Sequence, residues 1–231
     1  MDGDQLKTVL RFDPQIKLRF PELKVVIGEI DGVVVKGFDR SLESFKKRVF
    51  TEVGERYDIQ ELRRARVFRA YRDFFWKIGI DPTKDRPAAE ALIRRILRGR
   101  SIPRINTLVD AYNLASMKTE IALAAFDRNR VRGGLAMRFA TEGEEFLGIG
   151  MGKPKKLRGG EVIISDEEKV IAIYPHRDAD ESKITDSTKD VLLLVCGVPG
   201  VSDDALLDAA SLTTEYITRF CGGRARFELV G

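Results

Sequence analysis

The stretch Val162-Ile163-Ile164-Ser165-Asp166-Glu167-Glu168-Lys169-Val170-Ile171-Ala172-Ile173-Tyr174 sets two short apolar runs on either side of a polar tip. Strand-length runs joined by an Asp-containing turn read as an antiparallel hairpin, with Ser165 to Lys169 as its tip. Around it, Leu135 to Phe139, Phe146 to Ile149 and Val191 to Val195 are further strand-length runs, and Phe227-Glu228-Leu229-Val230 is another. Near the amino terminus, Ile16-Lys17-Leu18-Arg19-Phe20 alternates apolar and basic. Val25-Val26-Ile27-Gly28 and Val33-Val34-Val35 add two strands more.

Between these strands the period changes. Leu42, Phe45 and Val49 share a helical face within Ser41 to Gly54, with Lys46, Lys47 and Arg48 expected off it. Asp58-Ile59-Gln60-Glu61 has the form of a capping box, followed by Phe68, Tyr71, Phe75 and Ile78 on one face and Gly79 as a stop. Pro87 to Arg98 reads as a third helix. Ile105, Leu108, Val109 and Tyr112 predict a fourth, and Ser202 or Asp203 caps a last one carrying Leu206, Leu207, Ala210 and Ile217. Helices first and strands afterwards, without regular βαβ alternation, predict an α+β fold. No linker, repeat or low-complexity tract divides residues 1–231, so one domain is expected.

At 231 residues, with 43% hydrophobic and 33% charged residues, the chain has material for a sizeable core under a charged surface. The longest apolar run, Val191 to Val198, is strand-sized, which excludes a membrane-spanning helix. The acidic start, Met1-Asp2-Gly3-Asp4, lacks the layout of a signal peptide, so a cytoplasmic protein is expected. Cys196 and Cys221 are too few and too far apart for a disulfide framework or a cysteine-rich zinc site. His176 is the single histidine, which removes His-rich metal sites, and no metal is expected. A net charge of +4 permits an anionic partner without demanding one.

Asn106-Thr107-Leu108-Val109-Asp110-Ala111-Tyr112-Asn113, Ala125-Phe126-Asp127, Gly133-Gly134 with Arg138 and Ala140, Gly143-Glu144 and Ile184-Thr185-Asp186-Ser187-Thr188 follow one another in a familiar order. Together they resemble the tRNA-binding and editing domain of the phenylalanyl-tRNA synthetase beta subunit, the B-three/four domain, here as a freestanding protein. The match runs from about Asp81 to Val195. The resemblance implies helices packed on a predominantly antiparallel, β-sandwich-like layer. It also implies binding of the tRNA acceptor end, or of aminoacyl-tRNA, and a pocket that hydrolyses a wrongly attached amino acid, with no cofactor. No adenylate-forming motif is visible, so the chain is not expected to charge tRNA. Carried over by position, the pocket residues become Asn106 and Asn113, Ala124, and Asp180 or Glu181. Ala124 departs from the family pattern, which has histidine there, and puts editing chemistry and its specificity in doubt.

Tyr174 to Lys183 packs many ionisable groups behind an apolar strand. His176 is expected to activate water, Asp178 to orient the imidazole, and Asp180 or Glu181 to anchor the substrate amino group, since ester hydrolysis needs a positioned water, a base and oxyanion stabilisation. Arg177 or Lys183 is expected to hold a terminal phosphate. The alternative is a solvated loop of local ion pairs. Thr185 is a further pocket candidate. Gly148-Ile149-Gly150-Met151-Gly152 is read as a flexible turn, because Pro154 follows too soon for a nucleotide-binding helix. Arg63, Arg64, Arg66, Arg69 and Arg72 form one set of cations. For RNA phosphates the expected contacts are Arg94, Arg95, Arg98 and Arg104, with Lys153, Lys155, Lys156 and Arg158. Of Phe68, Tyr71, Phe74, Phe75 and Trp76, at least four are expected in the core, and Cys196 is expected to be a buried, inert thiol. The leading expectation is aminoacyl-tRNA deacylation in trans. A non-catalytic tRNA or amino-acid binding module and a small-molecule hydrolase or binder without RNA are the alternatives.

Overall fold

The computed structural model describes residues 6–231, and the acidic start at Met1 to Asp4 lies outside the described residues. Two sheets carry the architecture. The first has the order β1 (Leu10–Phe12), β4 (Leu135–Phe139), β7 (Val162–Ser165), β8 (Val170–Ile173) and β9 (Arg177–Asp178). The second has the order β11 (Arg224–Val230), β2 (Val25–Asp31), β10 (Asp190–Cys196) and β3 (Ala122–Asp127). A short hairpin pairs β5 (Glu145–Phe146) with β6 (Lys155–Lys156). The β1–β4 pairing is parallel and the other ladders are antiparallel. Among the described residues, six α-helices complete the α+β fold: α1 (Pro14–Arg19), α2 (Arg40–Arg56), α3 (Arg66–Lys77), α4 (Ala88–Leu97), α5 (Thr107–Thr119) and α6 (Asp203–Cys221).

The expected hairpin from Val162 to Tyr174 forms, β7 pairing antiparallel with β8. Asp166 holds its tip by accepting N–H bonds from Glu168 and Lys169, each at 2.8 Å. Ile16 to Phe20, expected as a strand, is instead mostly α1. Pro14 starts the turn, and the Asp13 carboxylate accepts the Gln15 N–H at 2.8 Å. The helical period decides which residues are buried: Ile16 and Phe20, four apart, go inside, while Leu18 is 86% exposed. Val33 to Val35 is not a strand either, because β2 ends at Asp31 and Gly32 turns the chain at φ 73°.

The Asp58 carboxylate accepts the Gln60 N–H at 2.7 Å and so holds only the turn before a short 3-10 helix at Leu62–Arg64, whose cap position, Glu61, makes no capping bond and pairs with Arg64 at 2.7 Å rather than reaching back. The following helix starts only at Arg66. Lys46, expected off the apolar face of α2, is buried, with Nζ 2.8 Å from Asp110 and 2.9 Å from Glu43. Beyond Phe146 the expected strand gives way to a turn, leaving Leu147 and Ile149 exposed. The sequence pattern gives no strand at β1, β3, β6 or β9.

Tyr71 joins the helical layer to the second sheet. Its hydroxyl donates to the Cys196 carbonyl and accepts the Ala122 N–H at 3.0 Å, tying together the paired ends of β3 and β10. Glu90, fully buried, ties α3 to α4 by accepting from Arg72 and from Arg94, the latter at 2.9 Å. The main core lies between these helices and the sheets, and a smaller cluster around Phe146, Leu157 and Ile163 fills the outer side of the first sheet. Among the described residues, no helix is long and apolar enough to cross a membrane.

Candidate functional site

In the paired ends of β3 and β10, Ala124 stands opposite Leu194 and Ala122 opposite Cys196. Alternate residues of a strand share a face, so these four make a floor of mostly small side chains. Tyr112 and Asn113 of α5 stand over it. The turn after β8 supplies Tyr174 and His176, β9 supplies Arg177 and Asp178, and together they enclose a pocket of about 180 Å³. Tyr174 anchors this turn by donating its hydroxyl to the Gly197 carbonyl. Arg177 crosses directly over Gly148, where a Cβ would stand 2.4 Å from its Cδ, and Nη1 donates to the Ile149 carbonyl at 3.1 Å. The glycine-rich turn is therefore the bed on which Arg177 lies.

Asp178 is the unusual group. Among the described residues its carboxylate has neither a hydrogen-bond donor nor a cation in contact, and burial alone pushes its pKa up to about 7. The residue is half-buried, so solvent still reaches it. His176 lies below its ordinary value because burial disfavours the imidazolium; Asp85 opposes this, and Arg177 and Lys155 add to it. The Tyr112 hydroxyl is pushed up by burial, then by the negative charges of Asp178 and Asp110. Burial, and then the charge of Asp178, also hold the Cys196 thiol protonated. Among the described residues, the side chains of Tyr112, Asn113, His176 and Asp178 make no hydrogen bond to protein, so four polar groups around one small pocket are free to bind a ligand.

Two cationic clefts open beside this pocket, and His176 lines both. One, of about 370 Å³, carries Arg86, Arg94, Arg95, Arg98, Arg100 and Arg177. The other, of about 850 Å³, carries Arg19, Lys77, Lys155, Lys156 and Arg158. Three of the four expected phosphate contacts in each set thus line a cleft that meets the pocket at His176. Within the first set Arg94 is held by Glu90, and Arg95 donates to the Ser101 carbonyl at 2.9 Å. Arg104 lies outside both clefts, its guanidinium 5.2 Å over Phe38, and Lys153 lines neither.

Of the expected pocket residues, His176, Asp178, Asn113 and Ala124 come together. The others lie elsewhere. Asn106 caps α5, its Oδ1 accepting the Val109 N–H at 2.9 Å. Asp180 pairs with Lys183 at 2.8 Å, and Glu181 pairs at its exposed end with Lys169 at 3.6 Å. The exposed Thr185 hydroxyl meets Ser187 at 2.8 Å. No His176–Asp178 hydrogen bond forms, so the orienting role expected of Asp178 has no contact behind it. Sequence reasoning missed Tyr112, which helical spacing assigned to the core, although it adjoins Asn113 in the same motif.

The B3/4 domain pattern matches residues 70–223, a wider span than the 81–195 over which the sequence resemblance is clearest. Over 101 residues, 44% of the chain, it is 34% identical to the phenylalanine–tRNA ligase beta subunit of Aquifex aeolicus and covers 13% of that protein. The corresponding subunit of Yersinia pestis is 33% identical over the same length. An N-terminal fragment of the phenylalanyl-tRNA synthetase beta subunit from Pyrococcus horikoshii aligns with 97% of the chain, covering 52% of that fragment, at a TM-score of 0.52 and 12% identity, a likeness of fold.

Proposed function

The chain belongs to the B3/4 domain family, and from that premise we propose that it is an aminoacyl-tRNA editing-type domain, acting as one unit over residues 1–231, that binds tRNA and hydrolyses a mischarged aminoacyl ester in trans. The observation that carries this reading is Asp178, a carboxyl with a pKa of about 7 in a small pocket beside His176, Tyr112 and Asn113. A base titrating near neutral pH can both accept a proton from water and return it. Water adds to the acyl carbon, the bond to the ribose oxygen breaks, and the proton taken by Asp178 passes to that leaving oxygen. Neutral His176, at the pocket mouth, and the Tyr112 hydroxyl, never ionised at neutral pH, are the donors for the developing oxyanion or the ribose.

The cationic clefts on either side of His176 suit the phosphates of the terminal nucleotides. Ala124, on the floor, contributes no donor, so water activation falls to the opposite wall. It equally favours a second reading, a binding module that holds an amino acid or tRNA end without turnover. A panel of correctly and incorrectly charged tRNAs separates the two. Amino-acid release from one mismatched pair above the no-protein rate, and its loss in Asp178→Asn with tRNA affinity retained, is the expected result. Binding without release from any pair retires hydrolysis in favour of the binding module.

A further inference from the structure

Five aromatic residues crowd α3, and one of them does not enter the core. Phe68, Tyr71, Phe74 and Phe75 are buried, whereas Trp76 is 57% exposed. Leaving an indole in water forgoes a large transfer free energy, and the cleft that Trp76 lines holds more cations than acids. In the 850 Å³ cleft, Trp76 stands with Arg19 of α1, Lys77 of α3, Lys155 and Lys156 of β6, and Arg158 just beyond β6.

None of those five cations has a carboxylate within ion-pair distance among the described residues. Three acids share the cleft. Asp81 accepts from the Thr83 hydroxyl at 2.6 Å and Glu161 accepts the Arg158 N–H at 3.0 Å, whereas the Asp85 side chain has no partner among the described residues, so five cations face three acids. Arg19 is fixed in place by donating to the Lys77 carbonyl at 2.8 Å. Gly159 and Gly160, both at positive φ, turn the chain back so that Arg158 borders the cleft.

An exposed π face among unpaired cations suits unpaired nucleic acid, whose bases stack while its phosphates meet the cations. A duplex hides its base faces. We propose that Trp76 is a stacking platform for an unpaired nucleotide of RNA, with Lys155, Lys156 and Arg158 on the flanking phosphates. The inference deepens the editing reading and rests on it for RNA as the ligand. Because His176 lines both this cleft and the small pocket, the cleft that would take the stacked nucleotide adjoins the pocket that would take the ester-bearing end.

Trp76 is the one tryptophan in the sequence, so its emission reports on this cleft alone. The full chain is titrated with a short, unstructured, cytidine-rich oligoribonucleotide and with the same strand in a duplex. Saturable quenching by the single strand and little by the duplex is expected. Trp76→Ala should weaken binding of the fluorescein-labelled strand about 10-fold, with Trp76→Phe retaining most of it. Binding without quenching, binding that Trp76→Ala leaves unchanged, or no binding would each overturn the proposal. Equal quenching by polyphosphate would also overturn it, assigning the cleft to anions in general. The oligonucleotide carries no ester: quenching without deacylation in the charged-tRNA panel retracts only the editing reading, and deacylation without quenching retracts only the platform.

Discussion

A carboxyl that titrates near pH 7 is ionised in only part of the molecules at neutral pH, and for Asp178 the cause is burial without a compensating partner. The same cause sets a stability cost. Its folded pKa, about 7, stands above the ordinary value of 3.8. Between those values the folded state holds a proton that the unfolded state has lost, so stability falls as pH rises through that window and levels off above it. Asp178→Asn removes the titration. The variant should therefore be more stable than the parent by about 1–3 kcal/mol at pH 8, with the gap closing towards pH 4, in urea unfolding at the two pH values. If Asp178 is the base, deacylation by the parent should rise with pH to a plateau with a midpoint near 7. A profile flat from pH 5.5 to 8.5 would remove Asp178 from the rate-limiting step.

At the scale of elements, the sheet edge β11 is held to β2 by charge as well as by its ladder. Glu29, fully buried, accepts from the backbone N–H groups of Lys7 and Thr8 and pairs with Arg226, which also reaches Asp31 at 2.9 Å. Burial pushes both carboxyls up, but the hydrogen bonds outweigh it and hold them below their ordinary values. Their contribution is thus present above the unfolded values and is lost as pH falls through the depressed ones. Arg226→Ala leaves Glu29 buried with less compensation and should cost about 3 kcal/mol in urea melts at pH 7, with acid unfolding beginning at a higher pH. A change below about 0.5 kcal/mol would mean that Arg128, 3.5 Å from Glu29, takes over.

The contrast between β2 and α1 shows what local pattern carries. Val25 to Gly28 reads as a strand because it is apolar throughout and buried on both faces, whereas the alternation over Ile16 to Phe20 fits either period, and Asp13 with Pro14 resolves it towards a helix. The site follows the same rule. His176 and Asp178 were legible because two ionisable residues lie close together in the chain. Tyr112, Ala122 and Cys196 were not legible as their neighbours, since packing brings α5, β3 and β10 to them. The raised pKa of Asp178 was also invisible, because desolvation belongs to the fold and not to any residue.

For the whole molecule, the net charge of +4 is weak evidence for a polyanionic partner, and the placement of the cations is stronger. Arg86 and Arg98 line one cleft and Lys155 and Lys156 the other, with His176 between them, while Arg104 and Lys153 stand apart. If one RNA strand runs through both clefts, each phosphate contact releases counterions and contributes about 0.7 to the slope of log affinity against log salt. Neutralising Arg86 and Arg98 to alanine should then lower the magnitude of that slope by about 1.4, as should Lys155→Ala with Lys156→Ala, and all four together by about 2.8. Arg104→Ala and Lys153→Ala should leave it unchanged. Additivity is the decisive outcome, because two clefts serving separate ligands would give a slope that responds to one pair of substitutions and not to the other. A slope unmoved by either pair would mean that RNA binds elsewhere, and the convergence at His176 would then serve only the pocket.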